Sequence, residues 1–401
     1  MAISWLHDAN LVDPETGTIE AGAIGIEHGR IAAVIRGTSP VPTGETATSL
    51  AGARVAPGFV DVHYHGALPG CDPDDAAAAL IAASASLVRH GVTAFLATTV
   101  AWPATDLAKR VSRLAAVLAE GAWPGAIPIG LHLEGPWIRP EAAGAQPPQG
   151  IRPYEAREGA ELFDRIGSLL RLVTLAPELE GARLLERELA RRGVAIALGH
   201  TLADESSLRA SVANGACHVT HLFNAMGCRS HREARRPGAE PEGFARLALG
   251  EEALGCDLIA DGAHVHSDWL RLAAEAKRER TLLISDRIDV GERSAGWLGA
   301  DRMRSDGVAW RLPNGRLAGS LLTLDAAIRN AERMRVMPFH DAVGACTIRP
   351  ARLIGAERER GTLRVGARAD LVALDASGAV LRTWVGGRQV WAADAATSES
   401  R

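Results

Sequence analysis

The stretch Gly130-Leu131-His132-Leu133-Glu134-Gly135-Pro136 decides how this chain is read. An apolar run ends there on a carboxylate, and a Gly-Pro turn follows at once. Burying an unpaired carboxylate is costly, so Glu134 calls for a cation or for one of the many arginines as partner. Four other segments repeat the pattern: Phe59-Val60-Asp61-Val62-His63-Tyr64-His65-Gly66, Leu198-Gly199-His200-Thr201, Val219-Thr220-His221-Leu222-Phe223-Asn224-Ala225-Met226, and Leu282-Leu283-Ile284-Ser285-Asp286. Four imidazoles (His63, His65, His200, His221) and two carboxylates (Glu134, Asp286) therefore stand where hydrophobic strands run out. In a parallel α/β barrel those ends meet on one face, the face that carries chemistry.

Working outward, candidate strands cover 59–65, 92–100, 128–134, 171–177, 194–200, 217–222, 256–261 and 280–286. Ala/Leu/Arg-rich stretches with helical spacing lie between several of them, at 74–90, 105–119 and 183–192. Eight strands with intervening helices predict an α/β fold, a (β/α)8 TIM-like barrel. The segment before it reads as short strands, with a hairpin signal around His28-Gly29. The tail repeats that style, with a strand over 369–374 and a hairpin around Gly386-Gly387. Together the two ends predict one small β-sandwich. The expected division is 1–57 and 346–401 for the sandwich and 58–345 for the catalytic barrel. Residues 225–245 read as a loop and 394–401 as a frayed tail.

The bulk numbers narrow the function classes. With 401 residues, 47% hydrophobic and 23% charged, the chain has ordinary globular composition. A formal charge of −4 gives no case for nucleic acid or an anionic membrane as partner. The cysteines, Cys71, Cys217, Cys228, Cys256 and Cys346, are odd in number and form no CxxC pair, which fits a reducing compartment. The start of the chain has no basic-then-apolar pattern of a signal peptide, and no apolar run is long enough to span a bilayer. A cytoplasmic protein is expected.

The six strand-end residues suggest a reaction class. His63 and His65 lie two apart on a strand and so face the same way, able to chelate one metal or to stand solvated in a loop. His200 and His221 end successive strands, and neutral imidazole suits zinc and related ions. Asp286 reads as a general base and acid that also touches the metal, or as a helix N-cap. A metal with such ligands and an open position brings the pKa of bound water to about 7. A nearby carboxylate can take the water proton and return it to a leaving amine. Hydrolysis of an amide is the natural outcome. The chain contains no GxSxG elbow, P-loop or dinucleotide fingerprint.

These motifs resemble the amidohydrolase superfamily and, more closely, the N-acetylglucosamine-6-phosphate deacetylases. The resemblance runs from about residue 20 to 392. It also rests on Ile259-Ala260-Asp261-Gly262-Ala263-His264-Val265, Ser285-Asp286 and Leu317-Ala318-Gly319-Ser320. It implies that Glu134, His200 and His221 hold the main metal, while His63 and His65 hold a second that shares Glu134. Asp286 would be the catalytic acid/base, with His264 orienting the substrate carbonyl. Asn224, Ala225 and an arginine, Arg232, reached across a homodimer interface, would contact a sugar phosphate. The cofactor implied is a divalent metal, zinc, at one or two per subunit. Superfamily members with a carboxylated lysine need one at a strand end; neither Lys109 nor Lys277 sits there, which argues against the dihydroorotase and urease branches.

The chain departs from the family pattern at the substrate rim. Gln146, expected to contact substrate, stands where a substrate-contacting histidine is usual, Arg287 follows Asp286 in place of a small residue, and Ala234-Arg235-Arg236 interrupts a His-Arg-Glu-Pro-Gly string. The first expectation is deacetylation of N-acetylglucosamine 6-phosphate to glucosamine 6-phosphate and acetate, in amino-sugar breakdown. The second is an amidohydrolase for another N-acyl amino sugar or N-acyl amino acid, one that Arg232 or Arg287 could hold if it is anionic. The third is a non-catalytic sugar-phosphate-binding paralogue.

Overall fold

The computed structural model of the chain describes residues 3–41, 46–227, 241–289 and 303–394. Five strands open it: β1 (Ser4–Asp13), β2 (Thr18–Glu27), β3 (Arg30–Arg36), β4 (Thr46–Ser49) and β5 (Arg54–Pro57). Eight follow with helices between most of them: β6 (Phe59–Gly66), β7 (Val92–Thr98), β8 (Ile127–Glu134), β9 (Leu170–Leu175), β10 (Ala195–Leu198), β11 (Ala216–Val219), β12 (Cys256–Leu258) and β13 (Thr281–Leu283). Each falls within or overlaps a strand expected from the sequence. The next four are short, β14 (Arg287–Ile288), β15 (Arg304–Ser305), β16 (Ala309–Arg311) and β17 (Leu317–Ser320), and three close the chain, β18 (Leu371–Leu374), β19 (Val380–Val385) and β20 (Arg388–Ala392).

Strands β6 to β11 pair in chain order, all parallel, and β12 pairs with β13, also parallel. Backbone hydrogen bonds continue across both gaps. Val219 N–H donates to Gly255 O and Gly255 N–H to Cys217 O, each at 2.9 Å, between β11 and β12. Asp286 N–H donates to His63 O at 3.0 Å, between the end of β13 and β6. Every residue of β7, Val-Thr-Ala-Phe-Leu-Ala-Thr, is buried, as expected of a parallel strand covered on both faces. The helix Ala104–Glu120 shows the complementary pattern, burying Leu107, Val111, Leu114 and Ala115 along one stripe.

The strands from the two ends of the chain join in one sheet, in the order β20-β19-β18-β5-β1-β2-β3, with β4 beside β1. Leu11, Ile24, Ile31 and Val55 from one end pack with Leu371 and Trp384 from the other. The expected hairpin turns are present: His28 and Gly29 have φ of 50° and 75°, and Gly386 and Gly387 have 54° and 74°. Strands β14 to β17 form an extension beside β6, with Ile288, Met303, Trp310 and Ala318 as its own small core. Two- to four-residue strands carry no alternation long enough to read, so this extension had no signal in the sequence. Part of the expected loop 225–245 lies outside the described residues, and the helix Gly243–Gly250 begins inside it.

Candidate active site

The carboxyl ends of the parallel strands bring the six strand-end residues together. His63 and His65 end β6 and Glu134 ends β8. His200, His221 and Asp286 lie just past β10, β11 and β13, with left-handed φ of 49°, 32° and 48°. Non-glycine residues held there cost about 1–3 kcal/mol each and cluster at functional sites. Gly199 lets β10 approach its neighbours before the turn: a Cβ there would stand 2.9 Å from Thr174 Cγ2 and 3.0 Å from Thr220 Cβ.

Two groups of ligating atoms result, Glu134 with His200 and His221, and His63 with His65 and Asp286, each within 4.8 Å and all buried. Glu134 joins them. Its Oε1 lies 3.0 Å from His200 Nε2 and 2.9 Å from His221 Nε2, while its Oε2 lies 3.2 Å from His65 Nε2. Asp286 Oδ1 lies 3.4 Å from both His63 Nε2 and His65 Nε2.

This donor set fits a divalent cation. His200 Nδ1 lies 2.9 Å from Ala142 O and His65 Nδ1 lies 3.2 Å from Thr98 O. A carbonyl accepts only, so each Nδ1 carries hydrogen and each Nε2 can turn its lone pair inward. The Nε2 atoms of His200 and His221 face each other at 3.2 Å, as do those of His63 and His65. Tetrahedral zinc with bonds of about 2.0–2.1 Å places its ligands about 3.3–3.4 Å apart, close to these separations. The electrostatics agree. Burial opposes charge on His65, yet Asp286 and Glu134 push its pKa up to about 10. Burial likewise opposes charge on His221, which Glu134 raises to about 9. Burial also opposes ionisation of Glu134, but His63, His200 and His221 hold its carboxyl well below the usual range. The cluster thus draws positive charge in among its ligands.

Other residues support this floor. His132 lies in a polar layer with Thr98 and Thr174, its Nε2 2.8 Å from Thr174 Oγ1, and its own protonation is suppressed by burial and by His63. Asp257 accepts a hydrogen bond from His221 N–H. Asp261, not among the site residues expected from the sequence, holds His264: Asp261 Oδ2 lies 2.6 Å from His264 Nδ1, and Asp261 Oδ1 accepts from the N–H groups of Ala263 and His264. Burial works against the Asp261 carboxylate, and His264 outweighs it to keep its pKa low. The signal was the three-residue spacing inside Asp-Gly-Ala-His.

A cavity of about 890 Å³ opens above the ligands. Glu134, His200, His221 and Asp286 line its floor, and His264, Asn224 and Ala225 also face it. Asn224 Nδ2 donates to His221 O at 3.1 Å. Gln146 lines the cavity too, with both ends of its amide engaged by Ala101 and Glu134. Arg311 and Arg316, from the hairpin of β16 and β17, stand at the rim. Arg311 pairs with Asp306 at 2.6 Å, whereas Arg316 is exposed and has no side-chain partner among the described residues. Arg287 is turned elsewhere: it pairs with Asp289 at 2.7 Å and donates to Leu321 O. Arg232 and the Ala234-Arg235-Arg236 insertion lie outside the described residues.

Comparison with known proteins gives the family. Residues 54–390 match the model of the amidohydrolase family. The N-acetylgalactosamine-6-phosphate deacetylase of Escherichia coli O157:H7 is 33% identical, over 93% of this chain and 96% of that protein. Human N-acetylglucosamine-6-phosphate deacetylase is 35% identical, over 86% of this chain and 85% of that protein. An aspartate-to-alanine variant of the Mycobacterium smegmatis N-acetyl-D-glucosamine-6-phosphate deacetylase, solved with N-acetyl-D-glucosamine-6-phosphate, superposes with a TM-score of 0.83 at 31% identity, over 97% of this chain and 100% of that one. The chain is a carbon–nitrogen hydrolase of the amidohydrolase family and belongs, within it, to the N-acetylglucosamine-6-phosphate deacetylase family.

Proposed function

We propose that this protein deacetylates N-acetylglucosamine 6-phosphate, giving glucosamine 6-phosphate and acetate. The observation that carries the reading is Glu134, shared between two buried ligand groups on the floor of a cavity of about 890 Å³. Glu134, His200 and His221 would hold the principal cation, and His63, His65 and Asp286 a second. Zinc is the cation of this reading, one that histidine and carboxylate donors suit. When bound, it polarises the acetyl carbonyl and acidifies water. Asp286 takes the proton of the attacking water and returns it to the departing amine. His264, fixed by Asp261, orients the acetyl oxygen. Asn224 and Ala225 contact the sugar phosphate, and Arg316 at the rim supplies a guanidinium with no side-chain partner among the described residues.

The eight parallel strands close into a barrel in this reading, supported by the hydrogen bonds from β11 to β12 and from Asp286 to His63. The terminal sheet folds over its shared core as a sandwich, with divisions near 57 and 345. We also keep a homodimer with Arg232 reaching the neighbouring site, and a cytoplasmic setting. Among the described residues no helix is long and apolar enough to cross a membrane.

One observation favours a second substrate, the galactosamine epimer: the Escherichia coli O157:H7 relative matches across nearly the whole of both chains. Incubation of zinc-loaded enzyme with each N-acetylated hexosamine 6-phosphate decides. Equimolar acetate and primary amine from the gluco compound is the expected result. Release from the galacto compound alone would transfer the activity to it, and release from neither would remove both.

A further inference from the structure

Gln146 stands where the resemblance implies a substrate-contacting histidine, yet its surroundings give it another task. It is buried, 5% exposed, and accepts a hydrogen bond from Ala101 N–H at its Oε1, 2.8 Å. Its Nε2 donates to Glu134 Oε2 at 2.5 Å. A backbone N–H only donates and a carboxylate only accepts, so the two partners fix which way the amide points. Turning toward a ligand would break two buried hydrogen bonds, one of them to a charged group.

The two oxygens of Glu134 are therefore not equivalent. Among the described residues, Oε1 faces only imidazole nitrogens, those of His200 and His221 at 3.0 and 2.9 Å and of His63 at 3.5 Å. Oε2, on the His65 side, is shared with the Gln146 amide. A hydrogen bond donated to a carboxylate oxygen withdraws electron density that the oxygen would otherwise offer a cation. We propose that Gln146 is a positioning residue that orients Glu134 and makes the two cation positions unequal. The Glu134–His200–His221 position is the tight one and the His63–His65–Asp286 position the weak one. The inference rests on the proposed cation-binding floor and is independent of which amide is the substrate.

The test is zinc titration of metal-depleted protein, followed by calorimetry and by metal analysis after dialysis, for wild type and for Gln146→Leu and Gln146→Met. Gln146→Met keeps the length of the side chain without an N–H donor, so it serves if the leucine variant fails to fold. Wild type should bind two zinc ions with dissociation constants at least about tenfold apart, the scale of one charge-assisted hydrogen bond. Both variants should narrow that ratio by about tenfold, since both remove the donor. At saturating zinc, KM should move less than about twofold, the change expected where no substrate contact is lost. An unchanged ratio overturns the proposal, as does a large rise in KM with zinc binding unaltered. A wild type that binds no zinc overturns the cation floor itself. Absence of turnover on the sugar phosphate leaves the zinc ratio to decide.

Discussion

On the floor of the cavity, buried histidines and carboxylates have one another and a few backbone groups as partners. At its rim, Arg311 and Arg316 ride on a short hairpin, one paired with Asp306 and the other open to solvent. The difference is one of over-determination. A floor residue is fixed from several sides, as Glu134 is by four imidazoles and an amide, so little can change without breaking the rest. A rim residue has fewer ties: Arg311 reaches Asp306 and Gly315 O, both within its own hairpin region, and Arg316 has no side-chain partner among the described residues. Two of the departures read from the sequence stand beside floor residues, Gln146 against Glu134 and Arg287 next in the chain to Asp286. Gln146 is the point where the two regions meet, a changed residue tied into the floor.

Loss of metal should have the largest effect. Dialysis against a chelator is expected to abolish amine release, and added zinc to restore it; full activity in metal-free protein would break the floor account. Asp286→Asn should lower kcat by about 10²–10⁴-fold, the usual contribution of a positioned acid/base, while zinc analysis still finds the Glu134–His200–His221 position filled. Near-normal turnover would remove Asp286 from proton transfer. Asp261→Asn should cost about 10-fold in kcat, the scale of an outer partner that orients a site imidazole, with KM nearly unchanged. An effect confined to KM would make His264 a binding group only.

Rim substitutions should be milder and confined to KM. Arg316→Ala is expected to raise KM for a phosphorylated substrate by about tenfold, as for one hydrogen bond to a charged group, and to leave the unphosphorylated analogue alone. Equal effects on both substrates would take Arg316 out of phosphate recognition. Arg287→Ala should change KM by less than about twofold because its guanidinium is held by Asp289 and Leu321 O. A tenfold rise would show that it leaves that pair to reach substrate.

The same contrast explains what the sequence made legible. His63, His65, Glu134, His200, His221 and Asp286 could be read because each interrupts or ends an apolar run, and a buried polar residue with no local partner signals a distant one. The terminal hairpins were legible because His28-Gly29 and Gly386-Gly387 are turn pairs with their own backbone chemistry. The Gln146 contacts, to Ala101 and Glu134 at separations of 45 and 12 residues, have no local pattern to betray them. Strands β14 to β17 are too short to show a period, and the turn of Arg287 toward Asp289 depends on a side-chain choice that spacing does not encode.

The most direct test of the account is kcat/KM for amine release by zinc-loaded enzyme, measured on N-acetylglucosamine 6-phosphate and on N-acetylglucosamine. The account predicts a value above about 10⁴ M⁻¹s⁻¹ for the phosphate, the low end of the usual enzyme range, and a far lower one without it. Negligible release from the phosphorylated sugar, with zinc bound at the floor, would contradict it.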